Sequence, residues 1–137
     1  MIYYNYETNF KLDTESTLSD WIERVVTLYN FTVGEINYIF CDDAYLLALN
    51  KQFLSHDTLT DIISFDDTIG KLVNGDVFIS IERVRENAIG YNVSFEEELY
   101  RVMIHGILHY LGFKDKTDNE KEVMRNAENN AISLLSN

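Results

Sequence analysis

The stretch HGILHYLGFKD, from His105 to Asp115, restricts this chain more than any other part of it. Histidines four residues apart lie one turn from each other on the same face of a helix. From Val102 to Leu111 every other residue is apolar except Gly106, so this helix is expected to be buried on most sides. Two imidazoles placed in such surroundings without partners would be costly. A metal ion offers both ring nitrogens a common acceptor for their lone pairs, at about 2.0–2.1 Å for zinc. Gly112 falls where a helix C-terminus favours the left-handed backbone region. A reversal there returns Asp115 to the two rings. His105, His109 and Asp115 are therefore the expected ligands of one divalent ion per chain. Zinc is favoured, and other divalent transition metals can compete at the carboxylate oxygen. Three protein ligands leave coordination positions open, as in a catalytic centre.

Gly106 narrows the chemistry further. In zinc proteases of the H-E-x-x-H kind, the glutamate after the first histidine is the general base. This chain has no side chain at that position. The metal reading survives; peptide hydrolysis does not.

The remaining pattern predicts the fold. Ile2 to Tyr6 reads as a strand, followed by a helix carrying Leu18, Trp21, Ile22, Val25 and Leu28, with cap residues between Thr14 and Thr17. Glu35 to Cys41 alternates as a half-buried strand. Asp42 caps a short helix with Leu46, Leu49 and Phe53. The runs DIISFDD and LVNGDVFIS are two strands joined by a turn at Gly70. Ser80 starts a helix that Gly90 is expected to end. Ser94 with Glu97, and Thr117 with Glu120, are capping boxes for the last two helices. The final helix carries Val123, Met124, Ala127, Ala131 and Leu134. The order is β-α-β-α-β-β-α-α-α. It predicts an α+β fold over residues 1–137: a single domain with a small mixed sheet of about four strands and helices packed on it.

Composition sets outer limits. The 137 residues suffice for one core, and no stretch reads as a membrane span or a secretory leader. The lone Cys41, at the end of a strand, is expected to be a small buried hydrophobe, so a reducing cytoplasmic location fits. The net charge of −12 argues against grip on nucleic acid by the whole-protein field. Residues 1–68 hold 3 basic and 12 acidic groups; residues 69–137 hold 8 and 11. Any polyanion is therefore expected to be held locally, in the second half.

Taken together, these residues resemble the YbeY family of bacterial endoribonucleases. The family signature H-G-x-L-H-L-x-G-Y-D-H is similar to His105–Asp115, LNKQFLSHDTLTDIISF (Leu49 to Phe65) resembles L-N-x-x-Y-R-x-x-D-x-P-T-D-V-L-S-F, and GDVFISIERVRENA (Gly75 to Ala88) resembles G-D-I-x-I-S followed by R-V-x-E-N-A. The matches are collinear from Leu49 onward. The resemblance implies an α+β fold, a zinc ion and cleavage of single-stranded RNA. It further implies a role in ribosomal RNA processing and ribosome biogenesis, at the 3′ end of the small-subunit rRNA, with the small ribosomal subunit as partner. Neither a membrane nor DNA is expected as a partner. The alternative is a non-catalytic ribosome-assembly protein whose metal is structural.

The chain departs from that pattern in two places. Asp115 replaces the usual third histidine, preceded by Lys114 in place of an acid, and Lys114 would partly offset the extra negative charge. Leu54 stands where the family carries an arginine, so no phosphate-binding role passes to it. Lys51, one helical turn earlier, is a candidate substitute. Thr60, Asp61 and Ser64 either line a cleft or form the turn entering a strand. The expected substrate-binding set is Lys51, Thr60, Asp61 and Lys114; no catalytic acid or base is identified. His56 is read as a surface residue. At least two of Arg83, Arg85 and Arg101 are expected to pair with acids at helical spacing, and FEEEL reads as a solvated first helical turn.

Overall fold

The computed structural model describes residues 1–56 and 58–135. Its elements run β1 (Ile2–Tyr6), α1 (Glu15–Leu28), β2 (Thr32–Cys41), α2 (Asp43–Phe53), β3 (Ile62–Asp66), β4 (Leu72–Ser80), α3 (Ile81–Tyr91), α4 (Phe95–Tyr110) and α5 (Asp118–Leu135). This is the expected α+β order. The sheet is mixed, with strand order β1-β2-β4-β3. β1 and β4 run parallel to β2, and β3 pairs antiparallel to β4.

Alternation along β2 turns Ile36, Tyr38 and Phe40 into the core. There they join Val77 and Ile79 of β4, Leu18 and Ile22 of α1, Met103 and Ile107 of α4, and Met124 of α5. Each large apolar side chain withdrawn from water in this way stabilises the fold by about 1.5–3 kcal/mol. A smaller cluster, Cys41, Leu46 and Ile63, lies under α2 with Phe65 and Phe78 packed against it. Cys41 is the buried hydrophobe expected, its thiol pushed up to about 12 by burial first and by neighbouring carboxylates second.

Local signals fix most boundaries, with informative exceptions. The Thr117–Glu120 box is reciprocal: Glu120 N–H donates to Thr117 Oγ1, and Thr117 N–H to Glu120 Oε1. α3 runs through Gly90 and ends at Asn92, which takes the left-handed conformation (φ 57°). Val93 N–H then closes onto Ala88 O, so the carbonyl pairing decides the stop and the more permissive glycine stays helical. β2 begins at Thr32, earlier than the alternation from Glu35 implies. A register shift between Val33 and Ile36 interrupts the pattern. Leu28 and Val123, both on predicted apolar stripes, are exposed.

Two features hold α4 against the sheet. The Tyr110 hydroxyl lies 2.9 Å from Asp76 O and 3.2 Å from Phe65 O, tying the helix end to the β3–β4 pair. Gly106 is buried, and a Cβ there would sit 3.1 Å from Ile62 Cδ1 and 3.2 Å from Val77 Cγ1. The position after the first histidine thus faces the sheet. Close helix–sheet approach leaves little room there, and a Cβ would press on two side-chain ends.

Candidate metal centre

α4 ends in a Schellman motif. Gly112 (φ 105°) donates its N–H to His109 O, and Phe113 N–H reaches back to Leu108 O. The reversal brings Asp115 to the histidine face. His105 Nε2 and His109 Nε2 are 3.1 Å apart, and Asp115 Oδ2 lies 3.1 Å from the first and 3.2 Å from the second. These three residues form a group that could hold a metal ion. A tetrahedral zinc with bonds of about 2.0–2.1 Å keeps its ligands about 3.3 Å apart. The spacing fits.

The chemistry of the donors fits as well. Glu128, on α5 and 5 % exposed, places Oε2 2.7 Å from His105 Nδ1, while its Oε1 accepts from Arg101 at 3.0 Å. Burial pushes the Glu128 carboxyl up, but the hydrogen bonds from His105 and Arg101 outweigh it and hold it below the usual glutamate range. An ionised carboxylate only accepts, so His105 Nδ1 carries the proton and Nε2 turns a lone pair to the centre. Two ring nitrogens and a carboxylate oxygen converging at 3.1–3.2 Å are a donor set that could hold a cation. The field agrees. Burial disfavours a charged His105, yet Glu128, Asp115 and Asp61 together raise its pKa.

The triad is open to solvent. The His105, His109 and Asp115 side chains are 22, 32 and 37 % exposed. A cleft of about 490 Å³ adjoins it, lined by Asp61, Tyr91, Glu98, Arg101 and Arg125 along with His105, Asp115 and Glu128. Asp61 is thus brought to the centre. Its carboxyl is raised by burial, against the opposing influence of His105 and of backbone hydrogen bonds. Glu98 is raised by burial and then by the charge of Asp61.

The other expected substrate residues lie apart. Thr60 donates to Ile62 O at 3.3 Å and lines a separate hollow of about 370 Å³ with Leu54 and the exposed His56. Lys51 sits exposed in the last turn of α2 and borders neither space. Lys114 is exposed, and its charge helps to lower the Glu120 pKa.

Arg83 and Arg101 pair across elements and not at the expected helical spacing. Arg83 meets Asp43 at 2.9 Å, Arg101 meets Glu128, and Arg85 lies over the Phe95 ring. The FEEEL turn is not solvated throughout either, because Glu98 is 5 % exposed. Glu98, Glu128, Tyr91 and Arg125 line the site and were missed by sequence reasoning. Glu98 precedes His105 by seven residues, two turns along the same face. Glu128 lies four residues after the buried Met124. Each spacing becomes a signal only once the packed face of its helix is known.

An α+β domain with a histidine pair on a buried helix and a carboxylate on the following turn, beside an open cleft, defines a class: a small domain with a candidate catalytic metal centre. The family model described as Endoribonuclease YbeY matches residues 3–136. Endoribonuclease YbeY of Flavobacterium johnsoniae is 56 % identical over 135 residues, covering 98 % of this chain and 97 % of that protein. The Flavobacterium psychrophilum protein of the same name is 54 % identical, covering 98 % and 96 %. The solution structure of TM1509 from Thermotoga maritima superposes with a TM-score of 0.69 at 26 % identity, over 98 % of this chain and 89 % of that one. The chain belongs to the YbeY endoribonuclease family.

Proposed function

We propose that this protein is a metal-dependent, single-strand-specific endoribonuclease acting in rRNA processing, at the 3′ end of small-subunit rRNA, and in ribosome biogenesis. The proposal places it in the cytoplasm with the small ribosomal subunit as partner and without a DNA substrate. The observation that carries it is the set of three acceptor atoms 3.1–3.2 Å apart at the mouth of a cleft. His105, His109 and Asp115 would hold the ion, with zinc preferred for its fit to two imidazoles and one carboxylate. When bound, the ion supplies Lewis acidity toward a phosphodiester.

The protein's own groups supply the rest. Glu128 fixes the His105 tautomer, and Arg101 keeps Glu128 ionised. Asp61, part-buried and lining the same cleft as His105, is a carboxyl outside the triad able to bind substrate or hold a proton there. Lys51, Thr60 and Lys114 belong to the outer path of the RNA in this reading. The partial exposure of the triad supports catalysis over a purely structural metal, since structural zinc sites are closed by four protein ligands.

The test is incubation of purified protein with end-labelled single-stranded RNA, alongside His109→Ala and a chelator-treated sample. Cleavage is expected only in the untreated wild type, returning on addition of zinc. Cleavage persisting in both controls would trace to a contaminant and end the enzymatic reading.

A further inference from the structure

The cleft holds a carboxyl that the metal centre does not use. Glu98 is 5 % exposed, lines the cleft, and makes no side-chain hydrogen bond or ion pair among the described residues. Its oxygens open onto the cleft and meet no protein donor, since among the described residues Arg83 Nε is the one fully buried side-chain polar atom without a partner. Arg101 and Arg125 act on Glu98 by charge without bonding it. Arg101 directs its guanidinium at Glu128 (3.0 Å) and at Asn129 (2.9 Å). Asp61 adds a second acceptor to the same cleft. A second metal ion does not fit, because among the described residues no third ligand joins Asp61 and Glu98 within coordinating reach. The floor is built for a ligand that donates N–H groups.

Two further side chains complete it. Tyr91 is 63 % exposed and offers an aromatic ring to the cleft. Arg125 is 59 % exposed, and its one ion pair among the described residues is a 3.5 Å approach to Glu128 Oε1, an atom Arg101 already occupies. Arg125 therefore keeps donors for an anion.

We propose that this cleft is a base-reading subsite: an unstacked nucleobase lies against Tyr91, its N–H edge donates to Glu98, and Arg125 takes the attached phosphate. The inference rests on the RNA reading above and deepens it. Single-stranded RNA is read in this manner, by aromatic stacking and hydrogen bonds to splayed base edges. The acceptor-only floor selects among bases. Guanine presents two adjacent N–H groups to the two carboxylate oxygens, whereas uracil presents one N–H flanked by carbonyls that a carboxylate repels. The subsite is thus a guanine site.

The test uses ¹⁵N-labelled, zinc-loaded protein titrated with GMP, UMP and inorganic phosphate, none of which contains a cleavable phosphodiester. GMP is expected to bind roughly tenfold more tightly than UMP, the scale of one good bidentate base contact, with UMP near phosphate. Shifts should centre on the amides of Tyr91 and Glu98. The near-isosteric Glu98→Gln removes the discrimination, because its amide can match uracil as well, while zinc affinity and circular dichroism stay unchanged. Arg125→Ala weakens all three probes together. Equal binding of GMP and UMP, discrimination retained in Glu98→Gln, or no binding by the wild type would each overturn the subsite. Failure of the RNA reading looks different: uncleaved RNA with the guanine preference intact.

Discussion

Glu128 Oε2 lies 2.7 Å from His105 Nδ1, reaching from α5 to a residue 23 positions earlier on α4. The contact sets which nitrogen of His105 faces the candidate metal centre, and it couples the packing of two helices to the donor set. The expected consequence is that Glu128→Ala weakens zinc binding by about 10–100-fold, the usual effect of removing a carboxylate behind a ligating histidine. Glu128→Gln, which still accepts from Nδ1–H, should lose less. Competition with a chromophoric chelator measures both. The alanine variant also leaves Arg101, 14 % exposed, without its carboxylate. A fall in thermal midpoint is therefore expected even in the zinc-free protein. Equal zinc affinity in wild type and Glu128→Ala would remove the tautomer argument.

Metal removal should act on stability as well as on binding. Anything that binds only the folded state stabilises it by RT ln(1 + [L]/Kd), about 2.7 kcal/mol at a hundredfold excess over Kd. Zinc added to chelator-stripped protein is expected to raise the thermal midpoint by several degrees. Magnesium should raise it much less, since it favours octahedral oxygen ligands. His109→Ala should abolish the zinc increment, because it removes one corner of the 3.1–3.2 Å triangle. Differential scanning fluorimetry decides this, and an undiminished zinc shift in His109→Ala would place the ion elsewhere.

The parts of this architecture legible in the sequence were the local ones. The two histidines, Gly112 and Asp115 lie within one helix end and one turn, so helical geometry and a left-handed glycine suffice to bring them together. Element order followed from apolar periodicity and caps for the same reason. Glu98 and Glu128 were hidden because a charge on a helix reads as solvated until the packing face is known. For Glu98 that face is set by helix packing distant in sequence, and for Glu128 by a helix 23 residues away. Arg83 and Arg101 illustrate the same limit. Acids at helical spacing were available to both, yet Arg83 pairs with Asp43 on α2 and Arg101 with Glu128 on α5.

Two glycines should differ in their tolerance of a methyl group. At Gly106 an added Cβ meets the ends of Ile62 and Val77 at 3.1–3.2 Å, contacts that flexible side chains can ease. The helix also gains about 1 kcal/mol on replacing glycine by alanine, set against about 1–3 kcal/mol for overpacking. Gly106→Ala should thus lose no more than about 2 kcal/mol. At Gly75 the Cβ meets the Phe65 carbonyl oxygen at 2.6 Å and the Tyr110 ring at 2.7 Å. Backbone cannot give way so easily, and the same clash dislodges the hydroxyl that ties α4 to the sheet. Gly75→Ala is expected to be the worse of the two, by about 1 kcal/mol or more in chemical denaturation. The reverse order would contradict the packing described at the end of α4.

Asp43 provides a pH test away from the metal centre. Its carboxyl lies 2.9 Å from Arg83 Nη2 and accepts from Ser80 Oγ at 2.8 Å. Burial works to raise its pKa, but the hydrogen bonds from Arg83 and Ser80 and the charge of Arg83 outweigh it. The folded value falls below the ordinary 3.8. As pH drops, the unfolded chain therefore takes up the Asp43 proton before the folded protein does. The stabilisation is complete above the unfolded value and disappears as pH falls through the folded one. Asp43→Asn removes that linkage. The gap in thermal midpoint between wild type and Asp43→Asn is expected to be widest near neutral pH and to narrow progressively below about pH 4. Comparing the two proteins at each pH cancels the titration of every other carboxylate. A gap that stayed constant down to acid unfolding would show that the Asp43–Arg83 pair carries no differential charge energy.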